Sequence, residues 1–161
     1  MKILVASTSL ISCPVISSIR KDTLSSFQGI ITFPDKSYGR GQKNRSNPLT
    51  EWGKEQDIAV FQPSNDEELL NLLKSQNVDL VLTIAFGKLI PRHLLSIPTH
   101  GWLNIHFSKL PKWRGAAPVQ RAILSGDTVK LVRASTEEIL PGTTPFRQLW
   151  HFPRELLASR R

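Results

Sequence analysis

The chain has 161 residues, 40% hydrophobic and 21% charged, which suits one domain with its own core and is too short for two of ordinary size. A single cysteine, Cys13, excludes an intrachain disulfide and fits a reducing, cytoplasmic compartment, and the four histidines show no zinc-type spacing with it. Lysine and arginine outnumber aspartate and glutamate by 21 to 13, and the net charge of +8 favours a polyanionic partner, nucleic acid first. No apolar run approaches the roughly 18 residues of a membrane span, so no membrane association is expected. The opening Met1-Lys2-Ile3-Leu4-Val5-Ala6 is too short an apolar run for a signal peptide and reads as a strand.

Short apolar runs alternate with longer amphipathic stretches, the pattern of βαβ units around a mainly parallel sheet, so an α/β fold is expected. Residues 2–6 predict a buried strand, a helix follows from about Pro14, and residues 29–33 predict a second strand. Residues 34–48 are rich in Gly, Ser, Asn, Lys and Arg and predict a long exposed loop, a length that compact domains usually keep for a function. Residues 49–56 predict a short helix and residues 58–61 a third strand. Ser64 then predicts the cap of a helix whose apolar face carries Leu69, Leu70, Leu72 and Leu73. Residues 80–85 predict the central strand, apolar except for Thr83. Residues 101–106 predict a further strand, and residues 116–124 a helix closed by Gly126. After Thr128 come Pro141, Gly142, Pro145 and Pro153 without strand alternation, so residues 129–161 are not expected to continue the βα rhythm.

Candidate chemistry starts from what is missing. The turn Ala6-Ser7-Thr8-Ser9-Leu10 after the first predicted strand has no glycine, and no P-loop pattern occurs, which sets aside the usual NAD and ATP sites. Basic residues cluster without acids, as Lys36, Arg40, Lys43 and Arg45 between residues 36 and 49 and as Lys109, Lys112, Arg114 and Arg121 between residues 108 and 121. A cationic loop suits phosphate contact, and it equally suits a solvated surface. Asn104 and His106 lie two apart near the end of a predicted strand, so both side chains leave one face while Ile105 leaves the other. An amide donor beside an imidazole can cradle an oxyanion at a carbonyl carbon. Two satisfied polar residues at a strand end have the same spacing.

The stretch Asn104-Ile105-His106-Phe107-Ser108-Lys109-Leu110-Pro111, continued by Lys112-Trp113-Arg114-Gly115-Ala116-Ala117-Pro118-Val119-Gln120, resembles the signature of the folate-dependent formyltransferases. Its part from Trp113 to Gln120 resembles the branch of that family that acts on methionyl-tRNA. The likeness covers about residues 1–128, including Gly39-Arg40-Gly41, Phe61-Gln62-Pro63 and Ala85-Phe86-Gly87. The resemblance implies a Rossmann-like formyltransferase domain with a mainly parallel sheet, incomplete at its C-terminus. It also implies the reaction: formyl passes from 10-formyltetrahydrofolate to the α-amino group of initiator methionyl-tRNA, for translation initiation, on a monomer that uses no metal. By the resemblance Asn104 and His106 are two members of the catalytic trio. Ser108, Lys109, Leu110 and Pro111 match the loop that contacts folate, and Phe86, Gly87, Lys88, Leu89 and Ile90, after Ala85, match the segment whose backbone meets the pterin. Arg40, Lys43 and Arg45 match a basic loop that approaches the acceptor stem of the tRNA. Trp113 beside Arg114 can stack on a base or the folate, or pack the loop.

The chain also departs from the family pattern. Phe107 and Lys109 stand where a small residue or proline, and a leucine, are more usual. The family's third catalytic residue is an aspartate in a Leu-Asp-Thr-Gly segment after the Gly-Asp that Gly126-Asp127 matches, and no aspartate occurs here beyond Asp127. A C-terminal barrel of oligonucleotide-binding type is not among these residues either. Residues 129–161 are therefore expected to be a non-family tail, disordered or translated in a shifted frame. If Val129 to Ser135 is written GTG AAA CTG GTG CGA GCG TCN, reading from the third nucleotide spells Glu-Thr-Gly-Ala-Ser-Val, the continuation that the resemblance implies. The chain is accordingly expected to be an impaired or inactive enzyme; the other reading is a non-catalytic remnant that binds folate or RNA weakly.

Overall fold

An apolar run without alternation belongs in the middle of a parallel sheet, where both faces are covered, and the N-terminal strand is buried from Ile3 onward. The computed structural model describes residues 1–38, 43–107, 112–113, 117–126 and 133–135, with the backbone alone for 36–38, 43–45 and 133–135. Its elements follow in the order β1 (Lys2–Ser7), α1 (Cys13–Lys21), β2 (Ser26–Ile31), β3 (Lys36–Tyr38), β4 (Lys43–Arg45), α2 (Pro48–Glu55), β5 (Val60–Phe61), α3 (Asp66–Gln76), β6 (Leu80–Ile84), α4 (Arg92–Leu95), β7 (Trp102–His106), α5 (Pro118–Leu124) and β8 (Arg133–Ser135). The main sheet has the order β5-β2-β1-β6-β7-β8. The first five of these strands are mutually parallel, and β8 joins β7 antiparallel.

Because successive strand residues face opposite ways, the two faces sort by register. One face packs Leu4, Ala6, Ile31, Val81 and Trp102 against Leu69 and Leu73 of α3 and Leu94 of α4. The other packs Val5, Ile30, Leu82, Ile84 and Ile105 against Ile16 of α1 and Leu49 of α2. The Trp102 indole keeps its N–H satisfied while buried, donating to Leu94 O at 3.0 Å. At the amino edge of the sheet, Asp79 Oδ2 accepts the Lys2 N–H at 2.7 Å and Asp79 O accepts the His100 N–H at 2.7 Å, which ties the starts of β1, β6 and β7 together.

Several boundaries differ from the expectation. The segment 34–48 contains the antiparallel ribbon β3–β4, with Lys36 opposite Arg45 and Tyr38 opposite Lys43. A short, polar ribbon buries no face and so leaves no hydrophobic period to read. Helix α3 is capped by Asn65 rather than Ser64: the extended Asn65 accepts the Glu68 N–H at 2.9 Å, and Glu68 Oε2 accepts the Ser64 N–H at 2.8 Å. The cap thus sits one residue later than expected, and Glu68 reaches back to the residue before it and to the Asn65 side-chain amide, at 3.0 Å. Helix α4 is a single turn, too short for periodicity. Helix α5 starts at Pro118, where a proline's fixed φ and missing N–H suit a first helical position. Strand β8 lies within the tail, held by pairing to β7 and not by any pattern of its own.

Close approach of β2 and β5 depends on one glycine. The β1–β2 register shifts between Ile3 and Leu4, and Gly29 follows the shift at φ +140°. A Cβ there would lie 2.5 Å from Ala59 O and 2.8 Å from the Phe61 ring. Gly29→Ala is expected to destabilise the chain by about 2–4 kcal/mol through clash and strain together. Gly126→Ala, with open space around its Cβ, should cost only about 1 kcal/mol of backbone strain. Urea midpoints of the two variants check the difference.

Candidate active site

The strand order runs one way from β1 through β2 to β5 and the other way from β6 to β7, so it reverses between β1 and β6. In open α/β sheets the crevice at the carboxyl ends beside such a reversal is where ligands bind. Here Thr8, just beyond β1, donates its hydroxyl to Ala85 O, just beyond β6, at 2.9 Å and ties the two carboxyl ends together. Ala85 has φ 49° and Gly87 φ 70°. The left-handed conformation is unfavourable for alanine by about 1–2 kcal/mol, so the turn leaving β6 is imposed by its surroundings.

Asn104 and His106 are brought together on this edge. In the parallel register of β6 and β7, Val81 lies beside Trp102 and Thr83 beside Asn104. The face shared with α3 and α4 is thus apolar at Val81 and Trp102 and turns polar at Thr83, Asn104 and His106, while Ile105 packs into the opposite core. Thr83 Oγ1 donates to Asn104 Oδ1 at 2.9 Å and lies 3.3 Å from Leu103 O. Thr83 and His106 are buried and Asn104 is half-buried. An amide and an imidazole so placed can direct donors at one oxygen atom.

The segment after β6 reaches the same edge, and its side chains divide the work. Phe86 and Ile90 are buried in the core beneath the turn. The Phe86 ring lies 5.0 Å from the Phe33 ring, centroid to centroid. Lys88 Nζ pairs with Asp66 Oδ1 at 2.8 Å in the first turn of α3, and Leu89 is 73% exposed. Any ligand contact by Phe86 and Ile90 therefore falls to their backbone. Lys43 and Arg45 form part of β4, and Lys112 Nζ sits 5.0 Å from the Trp113 ring centroid. Arg40, Ser108, Lys109, Leu110 and Pro111 lie outside the described residues.

A polar cluster that the sequence reading missed holds both ends of the basic segment 36–45. Asp35 Oδ1 accepts the Asn47 N–H at 3.1 Å and the Gln62 amide at 2.9 Å, and Asp35 Oδ2 accepts the Ser46 hydroxyl at 3.3 Å. Asn47 Oδ1 caps α2 by accepting the Leu49 N–H at 2.9 Å, and its Nδ2 donates to buried Thr32 at 3.1 Å. The pair Asn47-Pro48 is a helix-start signal and could have located the cap. Nothing local links Asp35 to Gln62. Among the described residues no group of three or more His, Cys, Asp or Glu is arranged to hold a metal ion, and no helix is long and apolar enough to cross a membrane.

Comparison with known proteins adds a family to this geometry. Residues 1–135 match the family model of the formyl transferases, a match that runs past Thr128 into the tail. The chain is 38% identical over 144 residues to the methionyl-tRNA formyltransferase of Salinispora arenicola, an alignment covering 88% of this chain and 46% of that protein. It is 41% identical over 131 residues to the methionyl-tRNA formyltransferase of Francisella tularensis subsp. mediasiatica, covering 80% and 42%. The chain thus spans less than half the length of these two relatives. Among solved structures, glycinamide ribonucleotide transformylase 1 of Geobacillus kaustophilus superposes with a TM-score of 0.68 at 18% identity, covering 99% of this chain and 88% of that one. A formyltetrahydrofolate deformylase of Pseudomonas syringae pv. tomato gives 0.63 at 22% identity, covering 91% and 49%. At these identities the structures share the fold, a parallel α/β sheet flanked by helices.

The Asn47 N–H, the Gln62 amide and the Ser46 hydroxyl all favour the charged carboxylate and hold the Asp35 pKa below its ordinary value. A carboxylate depressed in the folded state contributes stability that is present above the unfolded pKa, about 4, and is lost as pH falls through the folded value. Asp35→Asn should therefore be less stable than the parent at pH 7, and the gap should narrow as pH drops below about 4. Denaturant midpoints of both proteins across that pH range provide the check.

Proposed function

The chain belongs to the formyl transferase family, and from that premise we propose that it transfers formyl from 10-formyltetrahydrofolate to the α-amino group of initiator methionyl-tRNA, in the cytoplasm, as a monomer serving translation initiation. The observation that carries this reading is the pair Asn104 and His106 on one face of β7 at the carboxyl edge, beside the reversal of strand order. The similarity to methionyl-tRNA formyltransferases supports the choice of acceptor.

In this reading the methionyl amine attacks the formyl carbon, a C–N bond forms, and the carbonyl oxygen becomes an oxyanion on a tetrahedral carbon. The Asn104 amide and the His106 imidazole N–H donate to that oxygen, whose charge is greatest in the transition state, where such donors contribute most. Collapse breaks the bond to N10 of the folate, and the proton lost by the amine passes to the departing nitrogen. Ser108, Lys109, Leu110 and Pro111 hold the folate from one side, and the backbone of Phe86, Gly87, Lys88, Leu89 and Ile90 receives the pterin. Arg40, Lys43 and Arg45 take tRNA phosphates, a role that suits a cationic ribbon fixed at both ends.

A second reading, a remnant that binds without transferring, draws on the absence of aspartate beyond Asp127. An acidic partner ordinarily orients an imidazole and favours its charged form. We infer that residues 1–128 carry the family match, which extends to residue 135, and we attribute residues 129–161 to a shifted frame. Sequencing the coding DNA tests this: the other frame should read Glu-Thr-Gly-Ala-Ser-Val after Thr128, with a Leu-Asp-Thr-Gly-like segment downstream.

In a single-turnover assay with 10-formyltetrahydrofolate and methionyl-tRNA, the 161-residue chain is expected to transfer formyl more slowly than its S. arenicola relative. Asn104→Ala or His106→Ala should lower the remaining rate roughly 100- to 1,000-fold, with little change in the folate concentration needed for half-saturation. Transfer that both substitutions leave intact overturns the reading. Replacing Arg40, Lys43 and Arg45 together by Ala should weaken tRNA binding and flatten its dependence on salt, by about one unit of logarithmic slope for each phosphate no longer neutralised. A binding titration from low to moderate salt measures that slope.

A further inference from the structure

Thr83 is the one polar residue of β6, and it is buried on a strand that is otherwise apolar. A hydroxyl placed there is unfavourable unless it is hydrogen-bonded; its one proton has two acceptors in reach, Leu103 O at 3.3 Å and, shorter and directly across the parallel register, Asn104 Oδ1 at 2.9 Å. A carboxamide has two unlike ends, an oxygen that only accepts and a nitrogen that only donates. Stabilising an oxyanion requires the nitrogen end. With Oδ1 occupied by the Thr83 hydroxyl on the β6 side, Nδ2 is the end that Asn104 can offer to a substrate oxygen.

We propose that Thr83 is a positioning residue, whose hydroxyl fixes the Asn104 carboxamide with its N–H₂ end toward the reacting carbonyl. The inference rests on the reading of Asn104 as an oxyanion donor and adds what makes it one. Without the hydroxyl the amide can rotate about its last side-chain bond and present its oxygen, which repels the developing charge. Thr83 itself touches no substrate. Its influence passes through Asn104 and rises as charge develops in the transition state, so it is expected in the rate and not in ground-state binding of the folate.

Two substitutions separate orientation from packing. Thr83→Val keeps shape and removes the hydroxyl, whereas Thr83→Ser keeps the hydroxyl. In the full chain, the side-chain N–H₂ resonances of Asn104, assigned by their loss in Asn104→Ala, should move in Thr83→Val and stay near the parent positions in Thr83→Ser. Single-turnover formyl transfer should fall about tenfold or more in Thr83→Val, a partial loss of one donor, with half-saturation by folate unchanged and recovery in Thr83→Ser. In an Asn104→Ala background, Thr83→Val should bring no further loss. If valine prevents folding, Thr83→Ala serves as the variant without a hydroxyl. Unmoved Asn104 resonances in the valine or alanine variant overturn the proposal, as does an equal fall of rate in the valine and serine variants. Should the resonances respond as expected while the parent chain transfers no formyl, the orienting role of Thr83 stands and the assigned reaction fails.

Discussion

Strand β6 is hydrogen-bonded in parallel to β1 on one side and to β7 on the other, and that double pairing sets Thr83, Asn104 and His106 at one edge of the sheet. The β1–β6 pairing places the reversal of strand order, where the Thr8 hydroxyl meets Ala85 O. The β6–β7 register sets Thr83 against Asn104 and leaves His106 as the last residue of β7. Lower on the same face, Val81 and Trp102 bury against α3 and α4. A polar side chain left unsatisfied at that depth would cost on the order of 1–3 kcal/mol. The face turns polar only toward the carboxyl edge, where neighbouring polar groups supply partners, as Thr83 and Asn104 do for each other.

The turn out of β6 shows how the core supports this edge. Ala85 holds a conformation that an isolated alanine avoids, and the residues around it supply the compensation. Phe86 inserts its ring next to Phe33, Ile90 is buried further on, and the Thr8 hydroxyl meets the Ala85 carbonyl. Burying a phenylalanine or isoleucine is worth roughly 1.5–3 kcal/mol, more than the strain at a single left-handed residue. The half-buried pair Lys88–Asp66, still open to solvent, adds little by comparison. Backbone geometry at the crevice is thus secured from below, by side chains that face away from it.

Elements whose sequence carries a burial period were legible: the apolar runs of β1 and β6, the leucines of α3, and the two-residue spacing that puts Asn104 and His106 on one face of β7. The ribbon β3–β4, the single turn α4 and strand β8 were not, because each is short and held by pairing or packing across the chain and not by a pattern within it. The Asn65 cap was missed by one residue because Ser64 and Asn65 are both good caps, and backbone conformation decides between them. The Asp35–Gln62 bond joins residues far apart in sequence. In sequence Asp35 is one more polar residue of a loop; the pairing of β2 with β5 is what brings Gln62 beside it. For Thr83, the sequence marked the exception to an apolar strand, and only the strand register supplied its partner.

The carboxylate of Asp35 has a bearing on how the basic ribbon can vary between related proteins. It receives the chain again at Ser46 and Asn47, so the entrance and exit of residues 36–45 are fixed to each other at the edge of the sheet, whatever lies between. Closing a loop is entropically costly mainly when its ends first meet; doubling its length afterwards adds only about 0.6 kcal/mol. Insertions or deletions between Asp35 and Ser46 are therefore absorbed locally, without shifting β2, α2 or the register that sets the crevice. Length and charge in that segment can change while the register that places Asn104 and His106 on β7 stays as it is.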